Sequence, residues 1–393
     1  MLIKNCVLSD GTKADILIEG GRIKKIARML HQHDDYIDAG GRYLIPGIID
    51  PHVHFREPGG EQKEDFLTGG FAAAAGGITT VLDMPNNEPP ITTTALLEMK
   101  RKLAEKSVVN YGFHFAGTPH NIEQIRAAKN IASTKVFMNP STGMLMFKDD
   151  DALKQVFADS KMVSVHAEGS MVEKAIHIAQ ECGARLYLCH ISSADEIDFI
   201  RENKSSNIFV EVTPHHLFLS EEDDMDGFTK MKPGLKSIAD QLVLYDAINE
   251  GVVDTIGSDH APHTIGEKLS KDFPYGVPGC ETLLPLLLNA VNEGLFSLRK
   301  VVELCCENPA RTFGIMHKGF IREGFDADLT IIDMERVCEV DEEKLFTKCK
   351  WSPFAGRKLK GWPIMTIVNG NLVFNDGEIY DSIKGKEVNY YAF

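Results

Sequence analysis

The chain has 393 residues, 43% of them apolar, and a formal net charge of −15 at pH 7. That length suffices for one large domain with a smaller one beside it, and the acidic balance argues against a nucleic-acid or anionic-membrane surface. Eight cysteines without a C-x-x-C pair, an N-terminus lacking an apolar signal-like run, and no apolar stretch of membrane-spanning length lead to the expectation of a soluble protein in a reducing cytoplasm.

Short β-like runs open the chain: "MLIKNCVL", "ADILIEGGRIKKIAR" and "YIDAGGRYLIP", separated by Gly-Gly and Asp-Gly turn signals. The far end returns to that texture with "ADLTIIDM" and "PIMTIVNGNLVFNDGEI", the latter turning at Asn369-Gly370. The two ends are therefore expected to form one small β-sandwich-like domain, residues 1–46 with 321–393. Between them, over residues 47–320, apolar strand-like runs alternate with helical stretches: "GITTVLDMP", "VVNYGFHFAG", "TKVFMNP", "MVSVHAEG", "ARLYLCHISS", "NIFVEVTPHH" and "VVDTIGSDHAPH". Strand–helix repetition predicts an α/β fold, a parallel sheet closed into a (β/α)8 TIM-like barrel, with an open doubly wound sheet as the structural alternative. The barrel is preferred because His52, His54, His166, His190 and Asp259 each follow an apolar run, which places them at the C-terminal strand rim where barrel enzymes keep their chemistry.

His52 and His54 stand at i and i+2 in "IPGIIDPHVHFREPG", so on a strand both point to one face, and Arg56 continues the same alternation. Imidazole nitrogen and carboxylate oxygen suit a borderline divalent ion such as zinc, and the histidines with Asp259 exceed the needs of a single tetrahedral centre. Two metals are the economical reading, and they need a bridging ligand. Lys135, which interrupts "ASTKVFMNP", is a candidate. A lone strand lysine usually carries its ammonium to the surface. Beside metals, a desolvated neutral amine can instead add CO2 and become an anionic, two-oxygen carbamate.

The ordered motifs "DPHVHFREPG", "DMPNNEPP", "TKVFM", "VSVHAE", "LYLCHISS", "SDHAPH" and "GVPGCETLLPLLL" closely resemble the dihydroorotases of the cyclic amidohydrolase superfamily, with the likeness running over roughly residues 40 to 365. The resemblance implies two Zn2+ per chain, bridged by carboxylated Lys135 and a hydroxide. His52, His54, Lys135 and Asp259 hold one ion, and Lys135, His166 and His190 the other. Two such ions acidify a shared water and polarise the carbonyl under attack, while Asp259 acts as catalytic base and then acid. The implied reaction is the reversible cyclisation of N-carbamoyl-L-aspartate to dihydroorotate in pyrimidine synthesis.

Which ring is opened depends on the groups around the metals. Arg56 offers a planar fork suited to the carboxylate of dihydroorotate, and by resemblance the relatives that open uncharged hydantoin-type rings lack it. The resemblance further assigns Asn86, His263 and the backbone near Tyr275 and Gly276 to the substrate; His260 is equally titratable, but the family pattern selects His263. Lys232 in "MKPGLKS" departs from the Asn or Arg of many relatives and cannot make a bidentate contact, which leaves its place at the substrate open. Ser141 and Thr142 fall where the family has a mobile loop, an ordinary turn being equally compatible. Cys189 is expected to pack in the core on the face opposite His190, His215 and His216 to support the metal ligands or the fold rather than hold metal themselves, and "EEDDMD" to be a solvated loop. Alternatives within this reading are a hydantoinase or dihydropyrimidinase, and a non-catalytic scaffold, which the complete ligand set disfavours. The expected partner is a small-molecule substrate, with no nucleic acid and no membrane; self-association and association with an aspartate transcarbamoylase stay open.

Overall fold

A computed structural model describes residues 1–30, 35–140, 146–147, 149–223 and 225–391. Ser141 and Thr142 lie outside these residues. In chain order the strands are β1 Leu2–Val7, β2 Lys13–Glu19, β3 Arg22–Ala27, β4 Tyr36–Asp38, β5 Tyr43–Pro46, β6 Ile48–Val53, β7 Ile78–Asp83, β8 Asn110–Phe113, β9 Phe115–Ala116, β10 Thr134–Phe137, β11 Val163–His166, β12 Leu186–Leu188, β13 Ile208–Val212, β14 Thr255–Ile256, β15 Leu329–Glu339, β16 Lys358–Val368, β17 Asn371–Asn375 and β18 Glu378–Ile379.

Strands from the two chain ends share one nine-stranded sheet, ordered β18-β17-β16-β15-β5-β1-β2-β3 with β4 paired to β1. The join is the antiparallel pairing of β15 with β5, in which Leu329 stands opposite Pro46 and Ile332 opposite Tyr43. Ile3, Cys6, Ile16, Ile18, Ile23, Leu44, Leu329, Ile331 and Ile367 close a compact core there. The first four residues of β15 are buried, whereas from Asp333 onward its side chains alternate between partly covered and exposed. The strand thus starts between two packed layers and ends as an edge with one wet face.

The middle of the chain forms parallel strands in the order β6-β7-β8 and β9-β10-β11-β12-β13-β14. Only His114 separates β8 from β9, and its ring joins Ser133 Oγ at 2.7 Å and Pro51 O at 3.0 Å, tying the two runs together. At the other side the strand series meets itself. Val53 bridges His260 in parallel, His54 N donates to His260 O at 2.8 Å, and Ser258 N donates to Asp50 Oδ1 at 3.0 Å. The barrel strands are buried throughout apart from the half-buried Phe209 on β13, as a sheet covered on both faces requires.

Two further features aim the rim. The helix Phe66–Ala75 lies so close to the strand end carrying the histidines that a Cβ on Gly69 would stand 2.7 Å from the Phe55 ring; glycine permits that approach. Between β15 and β16, residues 340–357 leave the sheet and pack on the barrel. There Phe346 N and Thr347 N donate to Glu281 at 2.9 Å, Lys348 N donates to Glu64 Oε2 at 3.2 Å, and Trp351 Nε1 donates to His263 O at 2.7 Å.

Candidate active site

His52 ends in β6 and His54 follows it, and their Nε2 atoms converge on one carboxylate oxygen: Asp259 Oδ1 lies 3.2 Å from the first and 3.1 Å from the second. The opposite nitrogens are tied elsewhere. His52 Nδ1 lies 2.8 Å from Glu211 Oε1 and His54 Nδ1 2.7 Å from Asn86 Oδ1. Both acceptors require the proton on Nδ1, which leaves the Nε2 lone pairs facing the cavity, the tautomer a metal ligand needs. Burial holds both imidazoles well below their ordinary range, so they are neutral.

His166 and His190 face the same space from β11 and from just beyond β12. His166 Nδ1 and His190 Nε2 are 2.9 Å apart. Among the described residues His190 Nδ1 is buried without a hydrogen-bond partner, and His166 Nε2 finds only Glu168 Oε1 at 3.4 Å. Burial again keeps both rings neutral. Lys135, on β10, is 1% exposed. No ion pair is made to it among the described residues; its Nζ meets Cys189 Sγ at 3.0 Å and stands 5.3 Å over the Phe137 ring. Cys189 is a buried residue of the barrel core, yet it does not turn away from the site as strand alternation predicts. The strand has stopped at Leu188 and His190 takes φ of +41°, so the alternation no longer holds there.

Among the described residues, neutral imidazoles with unpartnered nitrogens, a carboxylate at their focus and a buried lysine without a counter-ion form a donor set that fits zinc. His52, His54, Lys135, His166, His190 and Asp259 line one cavity together with Arg56, Asn86, Lys232, Tyr275 and Gly276. Arg56 reaches it by a different route from the one alternation implies. Its backbone is left-handed, with φ of +64°, and the side chain is fixed by Nε donating to Pro262 O at 3.1 Å. Burial pushes its pKa down to about 10, which leaves it charged at neutral pH. Asn86 lines the cavity and also orients His54. His263 does not line it but packs behind Arg56, with Nε2 2.9 Å from Tyr275 O and 3.1 Å from Arg56 Nη2. Lys232 Nζ donates to Pro140 O at 3.1 Å and stands 4.9 Å over the Tyr275 ring.

Several supporting residues escape a reading of the sequence. Glu211, on β13, accepts from His52 and from His190 N at 2.9 Å on one oxygen and from Tyr187 OH at 2.8 Å on the other. Asp83 Oδ1 accepts from Phe55 N at 2.7 Å, between His54 and Arg56, while its Oδ2 pairs with Lys100 Nζ at 2.5 Å; both side chains are fully buried. Asp50 holds His52 N and Ser258 N on Oδ1 and thereby locks β6 to the segment carrying Asp259. The available signal was a charged residue inside an apolar strand, which cannot be left unpaired when buried. His260 faces away, accepting on Nδ1 from Gly279 N at 3.1 Å. His216 is structural, its ring between Thr213 Oγ1 at 2.7 Å and Pro233 O at 3.0 Å. His215 is buried beside it, the ring centroids 4.5 Å apart. Of the acidic run, Glu221–Asp223 form a 3-10 turn at the surface.

Comparison with known proteins adds three findings. The amidohydrolase family profile matches residues 43–373. A dihydroorotase of Halobacterium salinarum is 35% identical, covering 98% of this chain and 99% of its own, and one of Pyrococcus furiosus is 36% identical, covering 94% and 91%. Among solved structures, an L-hydantoinase (dihydropyrimidinase) from Arthrobacter aurescens aligns with a TM-score of 0.94 at 30% identity over 99% of both chains, and a dihydropyrimidinase from Brevibacillus agri with 0.91 at 27% identity over 100% of this chain and 99% of the other.

Proposed function

Because the chain belongs to the amidohydrolase family, we propose that it is a dihydroorotase, a hydrolase of a cyclic amide that interconverts N-carbamoyl-L-aspartate and (S)-dihydroorotate in de novo pyrimidine biosynthesis. The observation that carries this choice of ring is Arg56, a buried and charged guanidinium lining the same cavity as the histidines and Asp259. An uncharged hydantoin or dihydrouracil gives such a group no counter-charge; the carboxylate of dihydroorotate does.

His52, His54 and Asp259 would hold one zinc ion and His166 and His190 a second, with Lys135, as a carbamate, available to both. At Lys135 the amine nitrogen would add to CO2, forming the N–C bond and releasing one proton; among the described residues its Nζ makes no ion pair with a carboxylate and meets Cys189 Sγ. When bound, zinc supplies Lewis acidity, which lowers the pKa of a water and polarises an amide carbonyl. Glu211 and Asn86 keep His52 and His54 in the required tautomer. Arg56 anchors the substrate carboxylate, with Nε already committed to Pro262 O so that the guanidinium plane is fixed before substrate arrives. Asp259 takes a proton from the attacking water on a carboxylate oxygen and returns it to the ring nitrogen as the amide opens; ring closure runs the same transfers in reverse. Residues 1–46 and 321–393 constitute a small β domain, residues 47–320 the catalytic barrel, and the working compartment is the cytoplasm. Among the described residues no helix is long and apolar enough to cross a membrane.

The hydantoinase and dihydropyrimidinase structures that share this fold supply the second reading. The deciding measurement is kcat/KM for dihydroorotate, dihydrouracil and hydantoin on zinc-loaded protein. Preference for dihydroorotate supports the proposal, and preference for either uncharged ring replaces it with the second reading.

A further inference from the structure

Lys268 lies outside the metal cluster, is 1% exposed and makes no ion pair among the described residues. Its ammonium instead donates to three backbone carbonyls: Lys230 O at 3.1 Å, Pro274 O at 2.9 Å and Gly276 O at 2.8 Å. These carbonyls belong to two segments that line the catalytic cavity, one leading to Lys232 and the other flanking Tyr275. The Trp351 ring closes over the ammonium with its centre 5.4 Å from Nζ, and the same indole donates to His263 O. His263 in turn holds Tyr275 O.

We infer that Lys268 is a positioning residue for the substrate: its ammonium staples the 230–232 and 274–276 segments into one wall, and so sets where the ring rests relative to Arg56 and Asp259. This rests on the cavity being the dihydroorotate site. A buried cation whose described partners are all carbonyls is costly unless the geometry it enforces is used, because a neutral side chain of similar length would fill the space without desolvating a charge. The wall has little freedom elsewhere. Gly276 N also donates to Lys230 O at 2.9 Å, and a Cβ on Gly276 would meet Ala261 O at 2.6 Å, so loss of the staple displaces the wall from one end. Burial is the largest effect on the ammonium; Arg56 and Lys230 also disfavour its charge and Glu267 favours it, and together they bring its pKa down to about 7. The staple therefore loosens as pH rises through neutrality.

The test compares wild type with Lys268→Met and Lys268→Gln in dihydroorotate turnover, with zinc content measured alongside. KM is expected to rise about tenfold in both variants at pH 6.5, with kcat within about threefold and zinc content unchanged, because a displaced wall weakens binding more than chemistry. The gap in KM is expected to narrow toward pH 8.5 as wild-type Lys268 loses its proton. If Lys268→Met does not fold, Lys268→Gln, which retains two N–H donors, decides alone. An unchanged KM at every pH, or a fall in kcat accompanied by loss of zinc, overturns the inference. A wild type that fails to turn over dihydroorotate overturns the underlying functional reading instead.

Discussion

Glu211 Oε1 lies 2.8 Å from His52 Nδ1 and accepts a second hydrogen bond from His190 N, so one carboxylate braces residues assigned to both zinc ions. A glutamine there has a single carbonyl oxygen for three donors and turns an N–H toward at least one of them. Glu211→Gln is accordingly expected to weaken zinc binding by about 10- to 100-fold, the usual cost of losing a partner of a metal-bound histidine. Chelator competition followed by metal analysis measures it, and unchanged zinc retention would contradict the tautomer argument.

The zinc-loaded protein is expected to carry close to two ions per chain, and Lys135→Ala to lose most activity along with part of the zinc, since one residue serves both ions. Mass spectrometry of the intact wild type under native conditions should show the added mass of CO2. Full activity of Lys135→Ala, or of protein with one ion or none, removes the carbamate model.

Arg56→Lys keeps the charge and loses the fork. It is expected to cost on the order of 2 kcal/mol in kcat/KM for dihydroorotate, and Arg56→Met more, by analogy with charged hydrogen bonds. Dihydrouracil turnover, where no carboxylate is present, should fall much less. Equal losses on the two rings would mean that Arg56 supports the site rather than reading the substrate.

Lys100→Met leaves Asp83 buried without its partner and is expected to destabilise the fold by about 3–5 kcal/mol. Urea unfolding measures the change. Activity should drop further than unfolding explains, because Asp83 also fixes Phe55 N, between His54 and Arg56, the proposed metal ligand and carboxylate anchor.

Glu281 tests a pH effect whose sign follows from its surroundings. Burial raises its carboxyl from the ordinary 4.5 to about 7, even though it accepts from Phe346 N and Thr347 N. Between those values the folded chain binds more protons than the unfolded one. The contribution of Glu281 to stability is then complete below about pH 4.5 and lost as pH rises through about 7. Glu281→Gln, which does not titrate, should gain on wild type between pH 5 and pH 8 in urea unfolding. A difference that does not move with pH, or moves the other way, refutes it.

Much of the site could be read because its chemistry sits where strands stop. A histidine or aspartate after an apolar run is conspicuous, and His52, His54, His166, His190 and Asp259 do share one cavity. The braces were hidden for a physical reason. Glu211, Asp50 and Asp83 are single charges in apolar strands, and what each one holds is set by a neighbour far away in sequence, such as the 159 residues between His52 and Glu211. Period-2 reasoning failed for Cys189 and brought Arg56 to the right cavity by the wrong route, because the backbone at His190 and Arg56 has left the extended region. The pairing of the two chain ends was visible in shared texture, but nothing in "EEKLFTKCKWSPF" announced that it leaves the sheet to lean on the barrel.

Arg56, His190 and Asp259 all have positive φ, at +64°, +41° and +46°, a conformation that costs a side-chain-bearing residue on the order of 1 kcal/mol or more and glycine almost nothing. At three points on one rim the backbone would be more comfortable with no side chain at all. A search for thermostable variants that scored folding alone would be drawn to these positions and would gain robustness by deleting the proposed metal ligand, proton carrier or substrate anchor. In this chain a glycine that improves the melting temperature at the rim is a warning rather than a success.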